Sequence, residues 1–213
     1  MDTHFTLTNT QENPGIACIL VLDASASMAG HRVKALNQGL QHFQAGLLAQ
    51  PELAQQTSLG IVTFGDAVHT LQAPAPVTEI TMPAVKPKGN TKLVAGMHQA
   101  LALLNQMEAP HAPWVVLVTD GVPNYDEDVN GLVYTLNQAR ATMAFTFVAV
   151  GINGADQKLL QSLTGYDTPP YHLRDLCFDQ FFDWLLRAMS QHRLAQPGLP
   201  PAHTWAHEAQ LAQ

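Results

Sequence analysis

Two cysteines in 213 residues, Cys18 and Cys177, are too few for a disulfide framework or a cysteine-rich zinc module. Each lies in or beside an apolar run and reads as a small core hydrophobe, which favours a reducing compartment. Basic charge is equally scarce: 10 Lys/Arg stand against 17 Asp/Glu, a formal net charge of −7, with no Lys/Arg run. A basic nucleic-acid-binding face is therefore not expected. No apolar run approaches bilayer length, and Met1-Asp2-Thr3-His4 lacks the basic patch and apolar stretch of a leader. The expectation is a cytoplasmic protein without a membrane partner. Three motifs are also missing: the P-loop, the Gly-x-Ser-x-Gly elbow and the dinucleotide fingerprint. The histidines, among them His42, His69, His98, His111 and His172, show no paired metal-ligand spacing, and there is no internal repeat.

What is present is apolar: 46% of residues are hydrophobic and only 13% charged, ample for a large buried core. Ala17 to Leu22, Trp114 to Thr119 and Met143 to Val150 are short continuous apolar runs bounded by turn residues. Such runs suit strands covered on both faces of a parallel sheet. A fourth, Leu59 to Phe64, ends at the turn signal Gly65-Asp66, after which Ala67 to Leu71 returns as a short antiparallel edge strand. Helical periodicity fills the intervals. Val33, Leu36, Leu40, Phe43 and Leu47 mark one face, and Leu93, Met97, Ala100, Leu101 and Leu104 a second. Val129, Leu132, Val133 and Leu136 mark a third, with Asp126, Glu127 and Asp128 placed to cap its start. Phe178, Phe181, Phe182, Leu185 and Met189 mark the last, over Phe178 to Gln191. Strands alternating with helices predict a doubly wound α/β fold. Its sheet is open and mostly parallel, with one short antiparallel edge strand and helices on both faces. The divisions read as an N-terminal segment (1–13), one domain (14–192), and a Pro-rich linker and tail (193–213) that begins near Gln196-Pro197-Gly198.

Ligands of such sheets bind beyond the carboxyl ends of the strands, near the point where strand order reverses. The first strand runs into Asp23-Ala24-Ser25-Ala26-Ser27-Met28, and the Trp114 strand into Thr119-Asp120-Gly121. Gly89-Asn90-Thr91 precedes the Leu93 helix. Asp23, Ser25 and Ser27 alternate, so one loop can turn three oxygens toward a centre; Asp120 adds a second carboxylate and Thr91 a further hydroxyl. Two carboxylates, three hydroxyls and no soft donor suit a hard divalent cation: Mg²⁺ first, with Mn²⁺ or Ca²⁺ as alternatives. Met28, His31, Lys88, Asn90, Lys92, Asn124 and Tyr125 flank these loops as a candidate partner-binding rim. The three basic residues there can steer an acidic ligand, and Tyr125 can anchor an interface.

These three loops, in this order, resemble the metal-ion-dependent adhesion site of von Willebrand factor A-type domains, over roughly residues 14 to 192. The resemblance implies a Rossmann-like A-domain fold and a cation that takes an acidic side chain of a partner protein as its missing ligand. It also implies direct or water-mediated binding by Asp23, Ser25 and Ser27, recruitment of Thr91 in the ligand-bound state, and a mostly water-mediated role for Asp120. Ile19 to Gly30, Leu36-Asn37-Gln38-Gly39-Leu40 and Ile61-Val62-Thr63-Phe64-Gly65 further resemble small cytoplasmic bacterial A-domain proteins of tellurium-resistance and stress-response loci. This likeness implies a non-enzymatic scaffold for kinase- or phosphatase-like partners. Ala26 stands where many relatives carry Gly, a difference that matters if the position requires a positive φ. Two other readings remain: a metal-dependent phosphoryl-transfer enzyme using Asp23, although Ser25 occupies the position where that class has a second Asp, and a scaffold whose metal site is vestigial.

Overall fold

The computed structural model describes residues 15–107, 111–142, 145–165 and 168–194. The chain opens with strand β1, Ile16–Asp23, whose eight residues are all buried. Alternation across the pleat sends Ile16, Cys18, Leu20 and Leu22 to one face and Ala17, Ile19 and Val21 to the other, and both faces carry a hydrophobic core. An unbroken apolar run is what a strand covered on both sides requires. Burying each Val, Leu or Ile stabilises the fold by about 1.5–3 kcal/mol relative to leaving it in water.

Helix α1, His31–Leu48, and the short α2, Pro51–Gln56, lead to β2, Thr57–Phe64, and β3, Val68–Pro76. Helix α3, Leu93–Gln106, precedes β4, His111–Thr119; α4, Val129–Thr142, precedes β5, Thr146–Ile152. Helix α5, Gln157–Thr164, strand β6, Tyr171–Leu173, and helix α6, Phe178–Leu194, complete the order. The six strands lie β3-β2-β1-β4-β5-β6, with only the β2–β3 pair antiparallel. Helices α1 and α6 bury Leu36, Leu40, Phe43 and Leu47 against Phe178, Phe181, Phe182 and Met189 on one face of the sheet. Helices α3, α4 and α5 cover the other. The expected doubly wound sheet, with its one antiparallel edge strand, is the observed one.

Particular elements differ. The edge strand β3 has nine residues rather than a short return, and its Pro74 and Pro76 sit where an edge tolerates a missing N–H. Helix α6 extends beyond Gln191 to Leu194. The expected segment 1–13 and most of the tail, from 195 onward, lie outside the described residues, as do Met143 and Ala144 of the expected third run. No helix among the described residues is long and apolar enough to cross a membrane.

The two thiols differ in setting. Cys18 is fully enclosed in β1, and burial pushes its thiol up to about 12. Its thiolate population near pH 8 is thus about a thousandfold below that of an ordinary cysteine. Cys177 is only half-buried. A disulfide reagent added to the native protein should modify Cys177 within minutes and Cys18 only after denaturation. Rapid native modification of both would show that β1 opens readily.

Candidate functional site

Strand order reverses between β1 and β4, and the candidate ligands collect beyond the carboxyl ends of these two strands. Asp23 is the last residue of β1 and is wholly buried, and Asp120 follows the last residue of β4. The Asp23 carboxylate accepts the Ser25 N–H on Oδ1 at 2.8 Å and the Thr119 hydroxyl on Oδ2 at 2.6 Å. Burial pushes its carboxyl above the usual range; hydrogen bonds from Ser25 and Thr119 oppose that rise, and the nearby Asp120 charge adds to it. A buried carboxylate whose charge is unfavourable is a group that a bound cation would favour.

After Asp23 the chain makes a short 3₁₀ turn, Ala26–Met28. The turn brings Ser25 Oγ within 2.8 Å of Ser27 Oγ, and Ser27 Oγ donates to Asp120 Oδ1 at 2.7 Å. Ser25, Ser27 and Asp120 therefore form one hydrogen-bonded chain across two loops. Ala26 is not among the described positive-φ residues, so alanine carries no strain there.

Thr91 is placed by straps between loops. Ala24 N–H donates to the Phe64 carbonyl, Lys88 N–H to the Ala24 carbonyl, and Ala26 N–H to the Gly89 carbonyl, at 2.7, 2.7 and 2.9 Å. Gly65 permits this approach: a Cβ there would lie 2.6 Å from the Lys88 carbonyl oxygen and 2.9 Å from that of Ala24. On its other side, Thr91 N–H donates to the Asn124 side-chain carbonyl, while Asn124 N–H donates back to the Thr91 carbonyl. The Thr91 hydroxyl and Asp23 both lie near Gly121, where an added Cβ would stand 3.5 Å from Thr91 Oγ1 and 3.6 Å from Asp23 Oδ2. All five candidate ligands thus belong to one cluster, and every donor in it is oxygen. Among the described residues no three His, Cys, Asp or Glu side chains gather as a metal site, and this cluster itself offers two carboxylates with hydroxyls as its other donors. The donor chemistry fits a hard divalent cation.

The rim needs one correction. Met28 is fully buried in the core beneath the turn, because the 3₁₀ geometry directs its side chain inward with Leu36 and Leu40. It supports the loop and offers no surface to a partner. His31, Lys88, Asn90 and Lys92 are exposed, Asn124 is half-buried against Thr91, and Tyr125 is fully exposed beside the exposed Val122. The acidic cluster before α4 also divides its work differently from expectation. Asp128 caps α4 through the Gly131 N–H at 2.8 Å, whereas Glu127 reaches across to the Val94 and Ala95 N–H groups at the start of α3. This bridge ties the Asp120 loop to the helix that follows Thr91.

Two residues of the cluster escaped the sequence reading. Thr119 lies inside the Thr-Asp-Gly signature, where its polarity at the end of an apolar strand was the available signal. Arg32 is one position beyond His31, and its guanidinium pairs with Asp120 Oδ2. Nothing in a lone arginine on a first helical turn announces that contact.

Residues 18–122 match the family described as von Willebrand factor type A domain. Calcium-activated chloride channel regulator 1 of Homo sapiens is 31% identical over 159 residues, covering 70% of this chain and 16% of that protein. The chain therefore spans less than a fifth of that relative's length. Among solved structures, the vWF domain of the type V pili tip protein Mfa5 from Porphyromonas gingivalis superimposes with a TM-score of 0.66 at 12% identity, covering 88% of this chain and 98% of that one. The pilus adhesin SpaC from Lactobacillus rhamnosus GG, in its open conformation, gives 0.70 at 15% identity, covering 84% and 30% respectively. The ArnB paralog VWA2 from Sulfolobus acidocaldarius gives 0.54 at 16%, covering 82% and 45%. At these identities the structural likenesses establish the fold.

Proposed function

Taking as premise that this chain carries a von Willebrand factor type A domain, we propose that it is a non-enzymatic module that binds a partner protein through a divalent cation. Asp23, Ser25, Ser27, Thr91 and Asp120 would hold Mg²⁺, or in its place Mn²⁺ or Ca²⁺. When bound, the cation supplies an open coordination position for a carboxylate of the partner. The observation that carries this reading is the gathering of five oxygen donors from three loops at the reversal of strand order, with Thr91 Oγ1 and Asp23 Oδ2 both beside the bare Cα of Gly121.

The surroundings support an acidic protein partner. Exposed Lys88 and Lys92 flank the middle loop of an otherwise acidic chain, and a local positive rim attracts carboxylates. Beside Ala24 opens a cavity of ≈ 630 Å³, lined in part by Thr63, His69, Leu71, Lys86 and Lys88. Its mixture of apolar wall and basic edge suits a side chain adjoining the partner's acidic residue. Val122 and Tyr125 offer apolar surface on the other side.

The setting we propose is the cytoplasm of a bacterium, in a stress or tellurium-resistance system with kinase- or phosphatase-like partners. It rests on the stretches Ile19 to Gly30, Leu36 to Leu40 and Ile61 to Gly65. A phosphoryl-transfer role for Asp23 is less well supported, because Ser25 stands where that class has a second Asp.

Affinity capture from native cell extract tests the proposal, using wild type and Asp23→Ala, with Mg²⁺ and with EDTA. Partners should be retained by wild type in Mg²⁺ alone. The same proteins in every lane would remove cation-bridged recognition, and steady phosphoester hydrolysis that disappears in Asp23→Ala would favour the enzyme.

A further inference from the structure

Arg32 makes three contacts, all of them at or beside the candidate cation site. Its Nη1 donates to Asp120 Oδ2 and, at 3.3 Å, to the Ser27 carbonyl; its Nη2 donates to the Asn153 carbonyl at 3.1 Å. The Asp120 side chain is fully enclosed, while that of Arg32 keeps 34% of its surface in solvent. Ser27 already holds the second carboxylate oxygen of Asp120. Both oxygens of one of the two site carboxylates are therefore engaged by the chain itself, one of them by a permanent positive charge.

From this arrangement we infer that Arg32 is a tethered cation that competes with the divalent ion for Asp120 and so sets the affinity of the site. The inference rests on the cation-binding reading above. With Arg32 in place, Asp23 and Asp120 present a net charge of −1 instead of −2, and the affinity of an oxygen site rises with the number of charged ligands it offers. Relief of this competition requires movement. The partly exposed side chain has a route into solvent, and its other two partners, Ser27 and Asn153, are exposed residues. Arg32 also holds the loop after β5 through Asn153, so uptake of the ion and release of that loop are linked. The linkage is reciprocal: what loosens Arg32 tightens the ion, and the ion loosens Arg32 by the same factor.

An ordinary ion pair that merely fastens α1 to the β4 loop leads to a different outcome, and this makes the idea testable. Mn²⁺ affinity is measured by calorimetry for wild type, Arg32→Gln and Arg32→Lys, alongside melting of each protein in EDTA and in saturating Mg²⁺. Arg32→Gln should tighten Mn²⁺ binding about tenfold, within the span usual for coupled sites. Arg32→Lys, which keeps the charge, should stay near wild type. In EDTA the Gln variant should melt lower than wild type, while its cation-induced rise should be larger. Wild type itself supplies a readout without substitution: the Arg32 side-chain N–H resonance should move when Mg²⁺ is added. Equal or weaker Mn²⁺ binding by Arg32→Gln, or an equal loss of melting temperature with and without cation, overturns the inference and leaves the cation site standing. No Mn²⁺ binding by any of the three proteins overturns both.

Discussion

Magnesium or manganese, added to the metal-free protein at about a hundred times its dissociation constant, should raise the melting midpoint by about 5–10 °C. An ion that binds the folded chain and not the unfolded one stabilises it by about 2.7 kcal/mol at that excess. For a domain of this size each kcal/mol moves the midpoint by about 2–4 °C. EDTA should reverse the rise. Asp120→Ala and Asp23→Ala should each abolish it, because each removes one of the two charged ligands of the cluster. The comparison to make is the cation-induced shift within each protein, not absolute midpoints across variants. Asp120→Ala also removes the charged partner of Arg32 and should lower the metal-free midpoint by itself. A wild-type protein whose midpoint ignores millimolar Mg²⁺, Mn²⁺ and Ca²⁺ would identify the cluster as an internally satisfied relic. The hydrogen-bonded chain Ser25, Ser27 and Asp120 would then be its structural remainder.

A larger loss is expected from the packing of α6. Phe182 is fully buried, and its ring stacks on Phe43 of α1 at a centroid distance of 5.0 Å, with Phe181 at 5.2 Å. Helix α1 approaches closely because Gly39 lies opposite: a Cβ there would stand 2.6 Å from Phe178 Cβ and 3.0 Å from the Phe182 ring. Phe182→Ala therefore opens a cavity between two close-packed helices that have no slack to refill it. The expected cost is about 3–5 kcal/mol, read as a lower midpoint of urea denaturation at unchanged slope. The cation-induced rise should survive in this variant wherever it remains folded, because Phe182 packs between α1 and α6 and is none of the candidate ligands. A loss below about 1 kcal/mol would mean that α6 is only loosely docked on the sheet.

Much of this molecule was readable before its coordinates. The strands covered on both faces had to be continuous apolar runs, and β1, β2 and β4 are. The helices that cover them had to repeat their apolar residues every three or four positions, and α1, α3 and α6 do. The elements that went unread are the short ones, of three to eight residues. Strand β6 is Tyr171-His172-Leu173, three residues that pair with β5 and bury only Leu173. Helix α5 spans eight residues and starts on the Asp156 cap, and α2 spans six behind Pro51. Six residues give α2 too little length for a face to stand out, whereas α5 does carry one, through Leu160 and Leu163, over little more than two turns. Edge strand β3 is largely exposed, so its last residues show no burial pattern to read.

At the site the division follows the range of the interaction. Local chemistry put Asp23, Ser25 and Ser27 on one loop, Thr91 on a second and Asp120 on a third, because each set follows or precedes an element whose pattern is plain. Only the tertiary structure decided that Met28 turns inward, that Glu127 caps α3 rather than its own helix, and that Arg32 meets Asp120. Each of these outcomes depends on a neighbour brought close by the order β2-β1-β4 and the loops leaving it. A local pattern records which face of its own element a residue occupies. Which partner waits on that face is settled by chain crossing, and Arg32 and Asp120 are 88 residues apart.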